Sequence, residues 1–327
     1  MVQPYEMTLN LPMQLSNEVV STTSDVWDIL LASRDGNLDL VKRMVDECQE
    51  LIYAQYNYTP PIHFAVREGH LSLAKYLLDN GAYDPSYKTY PFSDSLKTIA
   101  NDRGYDEIAS LLTAYENNPA KHRYNGDNGR IYFNRTTLQQ DFEKAVDQED
   151  LVKTEQLLKE NPGFAKDETY FWGEGILSIA AKHCNLEMTE LLMSYGARVP
   201  NILKWTQFYY FERLDGATMM MQKGMNPDTM SWHEVTILHD MAQKGNIPKA
   251  ELLLKYNAEI NSIEDEYHST PLGMATRWGN VDMVEFLLKN NADPGKAGRP
   301  WATPLSWARK KGFIEIEHLL LQTGARS

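Results

Sequence analysis

The residue types that most often do chemistry are scattered along this chain rather than gathered. Eight histidines stand at positions 63, 70, 122, 183, 233, 239, 268 and 318. No two have the spacing that puts two ligands and a glutamate on one helix face to hold zinc. The cysteines, Cys48 and Cys184, are far apart, so neither a metal knuckle nor a disulfide framework is expected. No serine sits in a Gly-x-Ser-x-Gly elbow, and no glycine-rich phosphate loop is present. Asp25, Asp28, Asp35 and Asp39 recur along one segment and read as a solvated helix face. The run Glu264-Asp265-Glu266 reads as a hairpin tip, in water or facing a cation or a basic partner. An enzyme site would have to be built from His122, Arg123, Asp127 and Arg130 in an inserted segment, a thin set. The expectation is a protein that is not an enzyme and takes no cofactor and no metal.

What must position side chains here is a repeated unit. Three segments near the C-terminus align: Thr236-Ile237-Leu238-His239-Asp240-Met241 with Gly245 and Leu253-Leu254; Thr270-Pro271-Leu272-Gly273-Met274-Ala275 with Gly279 and Leu287-Leu288; Thr303-Pro304-Leu305-Ser306-Trp307-Ala308 with Gly312 and Leu320-Leu321. Their glycines are 34 and 33 residues apart, and Gly36, Gly69 and Gly104 follow nearly the same period. Each element has a physical reason. Threonine caps a first helix, and proline suits its first turn, where a missing N–H costs nothing. Glycine ends that helix in a left-handed conformation. The paired leucines belong to the apolar stripe of a second helix. Weaker copies put Glu149 and Cys184 at the glycine position, and the unit around residue 212 keeps only Met220-Met221 and Gly224.

These hexapeptides and their spacing resemble the ankyrin repeat, a helix-turn-helix unit of about 33 residues that stacks into a solenoid. The resemblance covers about residues 25–327. It implies an all-α, ankyrin-type solenoid of about eight or nine helix-turn-helix repeats joined by hairpin loops. It also implies a protein-protein interaction module that uses hairpin tips and the concave face of the first helices. An inhibitor or immunity-type regulator of one specific enzyme is the alternative. In the family, the histidine of the hexapeptide, here His63 and His239, bonds neighbouring backbone.

Two sets of residues are then candidates for partner binding. The connecting segments carry large rings, Tyr58, Tyr87, Tyr90, Phe92, Tyr170, Phe171, Trp172, Trp232, Tyr267 and Trp301. Turns favour small polar residues, so these rings are either anchors for a partner or staples that fold back on the next hairpin. The second set lies near the ends of the first helices, Arg67, Arg103, Lys182, Lys244, Arg277, Trp278 and Lys310. It is either a basic ladder for an acidic protein partner or ordinary surface. A further cluster, Trp205 and Phe208 to Phe211, is expected to be mostly core.

The net charge of −13 argues against a nucleic-acid backbone or an anionic membrane as partner. The ends differ in sign: residues 1–56 hold nine acids and three bases, and residues 294–327 hold six bases and two acids. No signal sequence and no apolar run of membrane length is present. A cytoplasmic protein is expected, with a monomer as the default. The expected divisions are 1–24 as an N-terminal extension or cap, 25–114 as N-terminal repeats, 115–137 as an inserted loop or small hairpin, and 138–327 as C-terminal repeats. Within the insertion, Arg130–Phe133 is expected as a strand of its own hairpin, and Leu9–Leu15 as an extended strand.

Overall fold

The computed structural model describes residues 1–16, 18–82, 84, 86–116, 128–204 and 209–325. The chain divides into two compact units, one of Glu6–Asn134 and one of Met1–Tyr5 with Arg135–Ser327.

In the first unit, three helix pairs follow one another: α1 (Thr23–Arg34) with α2 (Leu38–Glu47), α3 (Pro61–Arg67) with α4 (Leu71–Asp79), and α5 (Leu96–Arg103) with α6 (Asp106–Glu116). The first helices stack as a row, α1 on α3 and α3 on α5, while α4 packs on α6. Ahead of them β1 (Pro12–Gln14) pairs antiparallel with β2 (Val20–Thr22). The strand expected in the N-terminal segment is therefore present, with Met13 fully buried. Among the described residues, the Arg130–Phe133 segment pairs with β1. The Gln14 N–H donates to the Arg130 carbonyl at 2.9 Å, and Tyr132 donates back to Pro12 at 2.9 Å. An already formed strand edge offers unpaired backbone groups, and this segment takes them. Residues 117–127 of the insertion, with Pro119, His122, Arg123, Asn125, Gly126 and Asp127, lie outside the described residues.

The second unit contains α7 (Thr137–Asp147) with α8 (Leu151–Glu160), a single distorted turn α9 (Tyr170–Gly173), α10 (Leu177–His183) with α11 (Leu186–Ser194), and α12 (Leu214–Gln222) without a preceding partner among the described residues. Three regular pairs end it: α13 (Ile237–Lys244) with α14 (Ile247–Lys255), α15 (Pro271–Arg277) with α16 (Val281–Lys289), and α17 (Pro304–Lys311) with α18 (Ile314–Gln322). A small parallel pairing joins β3 (Ile202–Leu203) to β4 (Met230–Ser231). Residues 1–5 belong to this unit, where Val2 donates its N–H to the Trp232 carbonyl at 2.9 Å.

The caps form as their residue types require. Thr270 and Thr303 accept the N–H groups of Gly273 and Ser306, with a proline at the first helical position. At four of the repeat glycines a neighbour crowds the place a side chain would take. At Gly36, Gly69, Gly245 and Gly279, an added Cβ would meet His70, Tyr105, Asn280 and Phe313 at 2.6, 2.8, 3.3 and 2.9 Å. Each of these is the residue that follows the corresponding glycine of the next repeat. Two of them also bond back: His70 Nε2 lies 2.8 Å from the Arg34 carbonyl, and Asn280 donates to the carbonyls of Ala242 and Gln243. The left-handed turn persists even where glycine is lost, with φ of 57° at Glu149 and 56° at Cys184. Such a residue costs about 1–2 kcal/mol, which the stacked neighbours must offset.

Candidate partner-binding surface

The hairpin rings divide into staples and exposed groups, and the division follows backbone direction. In the second unit Tyr170, Trp232 and Tyr267 are buried and cannot meet a partner. Tyr170 packs edge-on against Phe142 at 5.4 Å beneath the Arg135 guanidinium. Trp232 lies on His233 at 3.9 Å. Tyr267 stands between Trp278 and Trp307 at 5.5 and 6.3 Å. In the first unit Phe92 is also buried. Tyr87 is half-buried, with its hydroxyl 3.1 Å from His63 Nδ1, and Tyr90 faces the exposed Tyr58 at 5.8 Å. An aromatic ring on a connecting segment that can reach the next hairpin gains more by covering it than by standing in water.

Trp172 does the opposite and is 65% exposed. It is held out by backbone rather than by side-chain packing. Phe171 and Trp172 are consecutive left-handed residues, with φ of 50° and 64°, followed by Gly173 and Gly175 on the same side of the map. Phe171 is the pivot. Its N–H donates to Glu143 Oε1 at 3.0 Å, its ring meets Tyr209 at 4.4 Å, and the Lys182 ammonium lies 6.0 Å from it. Trp205 and Phe208 lie outside the described residues; Tyr210 and Phe211 are core.

The basic ladder also splits. Arg67, Arg103 and Arg277 are buried. Arg67 pairs with Glu68 at 2.6 Å and lies over Phe64 at 5.0 Å. Arg103 donates to the Ile99 carbonyl. Arg277 is clasped by Tyr267, Trp278 and Trp307 at 4.2, 4.3 and 5.1 Å. All three sit in the last turn of a first helix, where the helix dipole favours a cation, and a planar guanidinium can be buried against rings as lysine cannot. Lys182, Lys244 and Lys310 remain exposed. Lys244 pairs with the buried Asp240 at 3.1 Å. Lys310 lies 5.2 Å from the Trp307 ring and 6.0 Å from that of Trp301. Trp278 and Trp301 are half-buried. Trp307 was not among the sequence candidates, yet it is the buried centre of this group, tied to Ser269 Oγ by its indole N–H at 2.8 Å.

Two buried groups hold the hairpins. His239 Nδ1 lies 2.8 Å from Thr236 Oγ1, and its Nε2 faces the carbonyls of Ser262 and Ser269 in the next hairpin. Burial lowers its pKa to about 4. The acidic run is not a solvated tip. Glu264 is buried and accepts the N–H groups of Glu266, Tyr267 and Ser269. Burial pushes its pKa up to about 8 against those bonds. Glu266 Oε2 faces His233 Nδ1 at 3.6 Å. Among the described residues no group of three His, Cys, Asp or Glu side chains is arranged to hold a metal ion, and no helix is long and apolar enough to cross a membrane.

A family model described as ankyrin repeats (3 copies) matches residues 209–297 and 238–327, and a single ankyrin-repeat model matches residues 57–90. This is an ankyrin-repeat protein. Its repeats are 33% identical over 85 residues to the ARF GTPase-activating protein GIT2 of Mus musculus, covering 26% of this chain and 12% of that one. They are 40% identical over 62 residues to the 2-5A-dependent ribonuclease of Mus musculus, covering 19% and 8%. The ankyrin-repeat chain thus spans about a tenth of the length of these relatives. A solved ankyrin repeat domain from Acinetobacter baumannii AYE is 25% identical, covers 57% of this chain and 98% of its own, and superposes with a TM-score of 0.46. Ankyrin arrays of this kind are protein-protein interaction modules that work through extended surfaces.

Proposed function

We propose that the second unit binds a protein partner through the rings its hairpins leave in water and the exposed lysines at the ends of its first helices. The observation that carries this is Trp172. A large apolar ring is kept in solvent by two successive left-handed residues, and strain of that kind persists where something other than stability requires it. Tryptophan is the side chain most enriched among the anchors of interfaces. Lys182 lies 6.0 Å from the ring of the adjacent Phe171, as Lys310 stands beside Trp301 and Trp307. That arrangement favours a partner with acidic side chains around an apolar contact. Arg67, Arg103 and Arg277, and the buried rings Phe92, Tyr170, Trp232 and Tyr267, have no part in the contact and serve the scaffold.

Affinity capture from the native cell extract tests the reading. The wild-type chain retains a specific protein, and Trp172→Ala with Trp301→Ala releases it. Retention by the double variant at the wild-type level would overturn the assignment.

A further inference from the structure

A cleft of about 360 Å³ opens in the second unit between three connecting segments, residues 165–168 after α8, 175–176 ahead of α10 and 196–198 after α11. Two cations line it, Lys166 and Arg198, both exposed. Among the described residues, no carboxylate pairs with either. Elsewhere in the same unit some cations find acids: Arg213 with Asp215 at 2.5 Å, Lys223 with Glu190 at 2.6 Å and Lys159 with Glu155 at 2.8 Å.

The two acids of the cleft are otherwise engaged. Asp167 accepts the N–H and the hydroxyl of Thr169, at 2.9 and 2.6 Å, and its other oxygen lies 3.3 Å from Arg135. Glu168 is half-buried, and desolvation, then the charge of Asp167, raises its pKa above the usual carboxylate value. The cleft thus holds two cations and two acids, and one of the acids, Asp167, is already committed to Thr169 and Arg135. Glycine makes the arrangement fit. A Cβ on Gly196 would stand 2.8 Å from Lys166 Cε, so the lysine stem lies across bare backbone. Ala165 and Ile176 supply buried apolar surface in the same cleft.

We propose that this cleft binds a phosphate monoester, with the dianion between Lys166 and Arg198 and the esterified organic group against Ala165 and Ile176. Two positive charges from separate segments match a doubly charged group. The arginine fork grips two of its oxygens, and the lysine adds a point charge. The volume exceeds what inorganic phosphate fills and lies at the low end of small-ligand sites. The ester is either a small phosphomonoester or a phosphorylated side chain of a protein, and the chemistry of recognition is the same. This assignment does not depend on the partner surface at Trp172.

The test is calorimetric titration of the full chain with O-phospho-L-serine, L-serine, inorganic phosphate and a phosphoserine peptide. O-Phosphoserine binds saturably and L-serine does not. Arg198→Ala and Lys166→Ala each weaken binding at least tenfold, while Lys159→Ala, an exposed lysine outside the cleft, leaves it unchanged. Glu168→Gln tightens it by removing the acid at the rim. A peptide that binds tighter than the free amino acid assigns the site to a phosphorylated protein, and equal or weaker peptide binding assigns it to a small molecule. Absence of saturation at tens of millimolar, or equal affinity in wild type and both cleft variants, would overturn the proposal.

Discussion

The Arg277 guanidinium lies 4.2 Å from the ring of Tyr267, a residue ten positions earlier in the same repeat. With Trp278 and Trp307 closing the other sides, a residue at a surface-ladder position becomes an internal clamp between successive repeats. Arg277→Ala is expected to lower stability by about 1–3 kcal/mol, through lost packing and lost cation–π contact. Arg277→Lys is expected to recover only part, because an ammonium does not stack as a plane. Urea unfolding midpoints measure both. Capture of the partner by folded Arg277→Ala stays at the wild-type level; selective loss of binding without loss of stability would return Arg277 to the contact surface.

His239 and Asp240, adjacent in α13, oppose each other in pH dependence. The buried imidazole titrates near 4, below its unfolded value. Its contribution is complete above about 6.5 and is lost as pH falls toward 4. Asp240 titrates near 6, raised by burial against the pull of Lys244. Its contribution is complete below its unfolded value and is lost as pH rises toward 6. Asp240→Asn is expected to raise stability at pH 7 by on the order of 1–3 kcal/mol. The variant loses stability more steeply than wild type between pH 6 and 4, since Asp240 no longer opposes His239. Thermal melts across pH 4–8 decide this; a variant less stable than wild type at pH 7 would show that the Asp240–Lys244 pair is net stabilising.

Trp172→Gly separates stability from binding. Glycine removes a left-handed side-chain penalty of about 1 kcal/mol and deletes a ring that makes little contact. The expected outcome is equal or higher stability in denaturant with loss of partner capture. A marked fall in stability would mean that the ring holds the hairpin together.

Glu264→Ala leaves three buried N–H groups without their acceptor. It is expected to cost about 2 kcal/mol or more and to speed amide exchange at Glu266, Tyr267 and Ser269, read by NMR. Exchange unchanged from wild type would argue against the turn depending on this carboxyl group.

The scaffold was legible because its signals are local. A Thr-Pro start, a glycine and a Leu-Leu pair act over a few residues, and the neighbour stacked on Gly279 or Gly69 recurs at the same place in each repeat. Even Glu149 and Cys184 could be placed at the glycine position by counting. The surface was less legible because exposure is decided between repeats. Tyr170 and Trp172 are two residues apart on one turn, and only the left-handed backbone at Phe171 and Trp172 sends one inward and the other out. Arg277 and Lys310 occupy the same repeat position. Arg277 meets three rings and is buried, whereas Lys310 stays exposed on the last repeat. The acids at 264 and 266 read as solvated because nothing in three consecutive acids reveals that one of them gathers the N–H groups of its own turn. The cleft at Lys166 and Arg198 joins three segments and leaves no local motif.

The most direct test of the central claim is quantitative capture of the native partner by the wild-type chain and by Trp172→Gly, each first shown to be folded by circular dichroism. The account predicts a specific partner on the wild type and at least a tenfold loss of it on the variant. Equal retention by both proteins would contradict it.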